Sequence, residues 1–120
     1  MCKSTEEQWN NMWDLWAEEK IDSPYRELMT YHSEINNGGH DQYFTNIANS
    51  GELNKEISAL KSILPSKHYY NLEKAYKAFL ALEKNEDDEN AQKTIEECDD
   101  MFYENEEEIN RILEEHSSHI

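Results

Sequence analysis

Cysteine is nearly absent from this chain of 120 residues: Cys2 and Cys98 have neither the density nor the spacing of a disulfide framework. Two unpaired thiols suit a reducing compartment, so a cytoplasmic location is expected. Three glycines and two prolines leave few places to interrupt regular structure, and two of the glycines, Gly38 and Gly39, are adjacent. No apolar run approaches the length of a membrane span, and the N-terminus lacks a basic-then-apolar leader, so a soluble, unexported chain is expected. No useful stretch alternates polar and apolar residues, which removes the strand signal. Basic residues are scarce too: eleven Lys and Arg stand against twenty-seven Asp and Glu, a formal net charge of −16. Such a field repels nucleic acid and anionic membrane, which excludes both as direct partners, and attracts basic proteins or cations.

What is present reads as helices. Ser4 and Glu7 have capping-box spacing, and Trp9, Met12, Trp13 and Trp16 follow on one helical face. Ser23 can cap a second helix with Pro24 in its first turn and a face of Tyr25, Leu28, Met29, His32 and Ile35, ending at Gly38-Gly39. A short third helix is expected from about Asp41 to Ala48. A fourth carries Leu53, Ile57, Leu60, Ile63 and Leu64 up to Pro65. Ser66 then caps a fifth, with Tyr69, Leu72, Tyr76, Phe79 and Leu80 in helical register. Beyond an acidic loop, Asn85 to Asn90, the stripe Ala91, Ile95, Cys98, Phe102, Ile109, Ile112 and Leu113 runs to about Glu115, as one long helix or two broken near Asn105. The expected fold is all-α, a single-domain bundle of about five to seven helices over residues 1–120, with 116–120 a frayed tail.

The turn between the second and third helices is chemically dense. Asn36, Asn37, Gly38 and Gly39 can take the left-handed conformation that ends a helix, and Asp41 can help start the next. Gln42 and Asn46 surround the aromatic pair Tyr43 and Phe44. A structural role is expected, with the asparagines satisfying free backbone ends and Phe44 anchoring the third helix. This Asn-Asn-Gly-Gly turn, followed by Gln-aromatic-Phe and Asn, resembles the signature of a bacterial family named after a DNA-mimic protein and otherwise regarded as a domain of unknown function. Cys98-Asp99-Asp100-Met101-Phe102-Tyr103 is similar to that family's acidic-then-Phe-Tyr segment. His40 stands where the family usually has an aromatic, most often Phe. The resemblance implies an all-helical fold. It also implies, from the one well-understood member, an acidic dimer that occupies the DNA-binding surface of a transcription factor.

Catalytic constellations are missing. A di-iron bundle needs Glu-x-x-His pairs, but Met29, Asn37, Pro65, Leu113 and His116 stand three residues before His32, His40, His68, His116 and His119. Glu86 to Glu89 resembles a calcium loop in charge only. His116 and His119 lack a third ligand. His40 and Asp41 are adjacent and so poorly placed as an acid/base pair, His32 lies on an apolar helical face, and Cys98 shares its stripe with Ile95 and Phe102. No enzyme, metal or cofactor is therefore expected.

Residues 83–115 carry fifteen acids against three bases, a net −12 of the total. If helical, the segment from Glu89 to Glu115 presents about one carboxylate per 4 Å, near the phosphate spacing of one DNA strand, about 3.4 Å. The expected function is a non-enzymatic acidic module binding a basic protein, a transcription factor or a toxin, through Asp87, Asp88, Glu96, Glu97, Asp100, Glu104, Glu107 and Glu108. Mimicry predicts acids in two ridges on one face, and plain solvation predicts them spread over the exposed arc. A small-molecule site centred on Asn37–Asn46 and a homodimer formed through the tryptophan face are the remaining alternatives.

Overall fold

The computed structural model describes residues 5–120, so Cys2 and the expected Ser4 cap lie outside the described residues. Five helices appear in chain order: α1 (Thr5–Ala17), α2 (Tyr25–Ser50), α3 (Leu53–Ile63), α4 (Ser66–Lys84) and α5 (Glu89–Ser117). No strand occurs among the described residues. α2 continues through one non-helical residue, Gly39, at φ 78° and ψ −175°. The expected second and third helices are thus two runs of one interrupted helix, and the described residues hold six helical runs.

Local chemistry explains most of the boundaries. Gly51, at φ 78° and ψ 7°, closes α2 with its N–H on the Ala48 carbonyl, a left-handed cap that glycine takes without a Cβ clash. Leu64 turns extended, at ψ 139°, because Pro65 follows it. Two expected caps are corrected. Pro24 and Pro65 occupy the N-cap positions of α2 and α4, so Ser66 is already helical, and the Ser23 hydroxyl turns to Glu27 instead of the backbone. Asp88 caps α5 by accepting from the Ala91 N–H at 3.1 Å.

α5 settles the open question near Asn105. Its 29 residues form one helix, and Asn105 turns its amide onto the Met101 carbonyl at 2.9 Å. Neither glycine nor proline occurs within it. The frayed tail is also shorter than expected. α5 includes His116, which stacks on Tyr25 at 3.8 Å, and Ser117, which is buried. The stacking ties the last turn to the start of α2.

The core forms where α5 lies against α1, α2 and α4. Ala91, Ile95, Cys98, Phe102, Ile109 and Leu113 face inward, meeting Tyr31, Ile35, Phe44, Leu72 and Phe79. Cys98 is a small core residue, as its place on the stripe suggests. Trp9, Trp13 and Trp16 pack edge to face along α1, half-buried, and Trp16 donates to the Thr30 hydroxyl at 3.2 Å.

The two positive-φ glycines differ in surroundings, which gives a test. A Cβ on Gly51 meets nothing within 4 Å, whereas one on Gly39 falls 2.5 Å from Asp99 Oδ2. Gly51→Ala should cost about 1 kcal/mol, the price of a left-handed residue with a side chain. Gly39→Ala should cost about 3 kcal/mol, because backbone strain adds to displacement of Asp99. Urea unfolding of the two variants measures the difference.

Candidate functional site

Breaking a helix leaves carbonyls before the break and N–H groups after it without partners. Here α5 supplies both. The His40 N–H donates to Asp99 Oδ1 at 2.8 Å, and the Tyr103 hydroxyl donates to the Ile35 carbonyl at 2.7 Å. Asp99 therefore takes the capping role expected of Asp41, which is exposed. The two sequence stretches that carry the family resemblance meet in space at this point.

Asp99 also holds the His40 ring. Its Oδ1 lies 2.6 Å from His40 Nδ1, and His40 Nε2 lies 2.6 Å from the Tyr31 hydroxyl. A carboxylate can only accept, so Nδ1 donates, and in the neutral ring Nε2 accepts the Tyr31 proton. Burial, reinforced by Cys98 and Asp99, pushes the Tyr31 hydroxyl well above its ordinary range and keeps it protonated. The order carboxylate, imidazole, hydroxyl matches a nucleophile relay. Its hydroxyl end, however, is fully buried among Tyr43 and Phe102, with ring centroids 5.1 and 5.5 Å away. The chain of bonds locks the turn. His40 still packs as an aromatic, 6.2 Å from Phe44, while adding two polar links.

The other motif residues clamp the same break. Gln42 Nε2 and Asn46 Nδ2, on the second run, both donate to Glu34 Oε2 on the first, at 3.1 and 2.5 Å. The Gln42 amide fills the space beside Gly38. Asn36 donates to the His32 carbonyl and to Glu106 Oε2, each at 2.9 Å, while Asn37 is exposed. Gly39, His40, Tyr43 and Phe44 are buried, so the centre of the turn is packed. Two grooves open beside it. One of about 600 Å³ lies over Trp9, Trp13 and Asn37, and another of about 500 Å³ lies beyond Asp41.

Behind Tyr43 sits a pair of carboxylates. The Tyr43 hydroxyl donates to Glu56 Oε2 at 3.2 Å. Glu27 is buried, its Oε1 held by Ser23 and by Arg26 at 3.1 Å, and its Oε2 has no hydrogen-bond partner among the described residues. Burial pushes Glu56 up to about 7, with Glu27 adding to the rise and the Tyr43 hydrogen bond opposing it.

α5 sorts its acids by direction. Asp99 and Glu106 lie at the edge of the core stripe, and Glu106 bonds His32 at 3.0 Å. At about 100° per residue, Glu89, Glu96, Asp100, Glu107 and Glu114 fall on one outward ridge, and Glu97, Glu104, Glu108 and Glu115 on a second, about 80° away. Of the expected partner-binding residues, Glu96, Glu97, Asp100 and Glu104 are exposed, with no cation at ion-pair distance among the described residues. Glu107 pairs with Arg111 at 3.1 Å. Glu108 is held by Lys67 at 2.8 Å and by buried His68 at 3.1 Å, and both contacts keep its carboxyl below the usual range. Asp87 is exposed in the loop, and Asp88 is engaged as the α5 cap.

Residues 25–118 match the model of a protein family described as DMP19-like protein. The matched span runs from the start of α2 to the end of α5 and contains the whole break. No curated protein and no solved structure matches the chain.

Two outcomes test this geometry. Asp99→Ala strands a buried N–H and the His40 ring and should cost about 2–4 kcal/mol, against about 1 kcal/mol for Tyr31→Phe, both read from urea unfolding. The second concerns pH. Glu56 titrates near 7 in the folded chain and near 4.5 in an ordinary setting, so within that window the folded state holds a proton that the unfolded state has lost. Stability from this group is full below the window, falls as pH rises through it, and levels off above. Solvent still reaches the carboxyl, so the loss between about pH 5 and pH 7.5 should be about 1–2 kcal/mol, and Glu56→Gln should remove it.

Proposed function

The chain belongs to the DMP19-like protein family, and we propose that it is a non-enzymatic acidic module that occupies the basic, nucleic-acid-binding surface of another protein. The observation that carries this reading is the arrangement of acids on α5. An unbroken helix fixes nine outward carboxylates in two ridges over about 39 Å, at roughly the linear density of a nucleic-acid strand. Because α5 is bedded on the core along its whole length, the rows are set before a partner arrives. The partner then gains charge complementarity without an ordering cost on this side. Four of the ridge acids, Glu96, Glu97, Asp100 and Glu104, carry no internal counter-charge among the described residues and are open to lysine or arginine.

The same field gives the mechanism of capture. Long-range attraction steers a basic protein toward α5, and short-range pairing then fixes register. Added salt screens the first step within about 10 Å at 0.1 M. The packed centre of the glycine turn and the sealed Tyr31 hydroxyl favour binding over catalysis.

Retention of lysate proteins on the immobilised chain tests the proposal. A basic DNA-binding protein should be held at low salt, released at moderate salt, and displaced by duplex DNA. Glu97→Lys with Glu104→Lys should weaken retention at least about tenfold. The same charge change at Glu6 on α1 and at Glu18 just beyond its end should leave it within about threefold. Retention that ignores salt, or a partner that DNA does not displace, contradicts it.

A further inference from the structure

The groove beyond Asp41, about 500 Å³, is built from three separate parts of the chain. Phe79 and Leu82 of α4 and Ile95 of α5 form an apolar floor. Asp41 from the second run of α2, Glu83 at the end of α4, Glu86 in the loop and Glu96 on α5 form the rim. None of these four carboxylates has a cation within ion-pair distance among the described residues, unlike Asp99, Glu106, Glu107 and Glu108. The C-terminal carbonyls of α4, the negative end of its dipole, close in the same place. Gln92 donates to the Glu86 carbonyl at 2.7 Å and ties the rim loop to α5. Asp41, left without the capping role that Asp99 performs, is placed at this rim.

The chemistry of the lining selects its occupant. A neutral apolar ligand would strip water from four carboxylates with nothing in exchange. A bare cation makes no use of the floor, and a nucleic acid is repelled. A segment with apolar side chains beside lysine or arginine satisfies both parts, because the aliphatic stems cover the floor while the charged heads reach the rim. We propose that this groove docks a basic amphipathic helix of a partner protein, with Leu82 as the apolar contact and Asp41, Glu83, Glu86 and Glu96 as the charge clamp. The proposal rests on the preceding reading in taking a basic protein as partner, and it adds where that partner's apolar anchor seats. The groove and the second α5 ridge use different residues, so each can fail alone.

The test is a titration of the full chain, followed by methyl NMR, with a leucine–lysine amphipathic peptide of about 14 residues and with oligolysine of equal charge. The leucine–lysine peptide should shift the methyls of Thr45, Leu82 and Ile95 and bind at least about tenfold more tightly than oligolysine. Leu82→Lys, or Glu83→Gln with Glu96→Gln, should weaken it at least about tenfold while the circular dichroism spectrum is unchanged. Glu97→Lys with Glu104→Lys should change it less than about threefold. Peptide docking of this kind, in a chain that retains no DNA-binding protein from lysate, upholds the groove and sinks DNA mimicry. Equal affinity for oligolysine, binding that leaves the methyls of Thr45, Leu82 and Ile95 unshifted, or indifference to Leu82→Lys overturns the groove proposal. Methyl shifts that follow protein concentration without peptide place a second copy in the groove and overturn it as well.

Discussion

One carboxylate holds the break on which the rest of the molecule is arranged. Asp99 closes the free N–H of His40 and orients its ring at once, so α2 can be interrupted at Gly39 without leaving a buried donor unpaired. The interruption needs glycine twice over: for its positive φ, and because Asp99 occupies the place of a side chain. Tyr103 completes the join from the carbonyl side. Asp99, Phe102 and Tyr103 must all face the turn, which fixes the rotation of α5 about its axis. That rotation decides which acids meet the protein and which meet solvent.

The acids therefore divide into two populations with different physics. Asp99, Glu106 and Glu108 are spent on histidines and lysine within the fold, while Glu27 and Glu56 are drawn into a low-dielectric site beside Tyr43. On the outward ridges, Glu96, Glu97, Asp100 and Glu104 carry charge that no cation among the described residues neutralises. A net charge of −16 on 120 residues destabilises the compact state by self-repulsion. A partner bringing positive charge would relieve that repulsion.

The helices were legible from apolar spacing, and so was the break, because adjacent glycines among asparagines have few other uses. The inward placement of Cys98, Phe44 and Phe102 followed from the same periodicity. The contacts that close the break were not legible. Asp99 lies 59 residues from His40 along the chain, and within an acidic run it looks like its neighbours. Its one distinguishing signal is register, at the edge of the core stripe beside Cys98 and Phe102. Asp41 was assigned the cap because local rules see only adjacent residues. Ser23 and Ser66 were displaced as caps by the prolines beside them. The tail reached further as helix than its polar composition suggests, because Tyr25 stacks on His116 from across the bundle. Within the candidate site, the outward acids were readable as a charge excess. The tethering of Glu108 and the rim role of Glu83 depend on tertiary neighbours.

Native-state hydrogen exchange of the His40 amide tests the central claim most directly. If Asp99 locks the glycine break as part of the core, this amide exchanges only on global unfolding, with the same protection as the amides of Phe102 and Leu113. Exchange orders of magnitude faster than those amides would contradict the account. The turn would then be a local hinge, and α5 would lack the fixed rotation from which its acidic ridges follow.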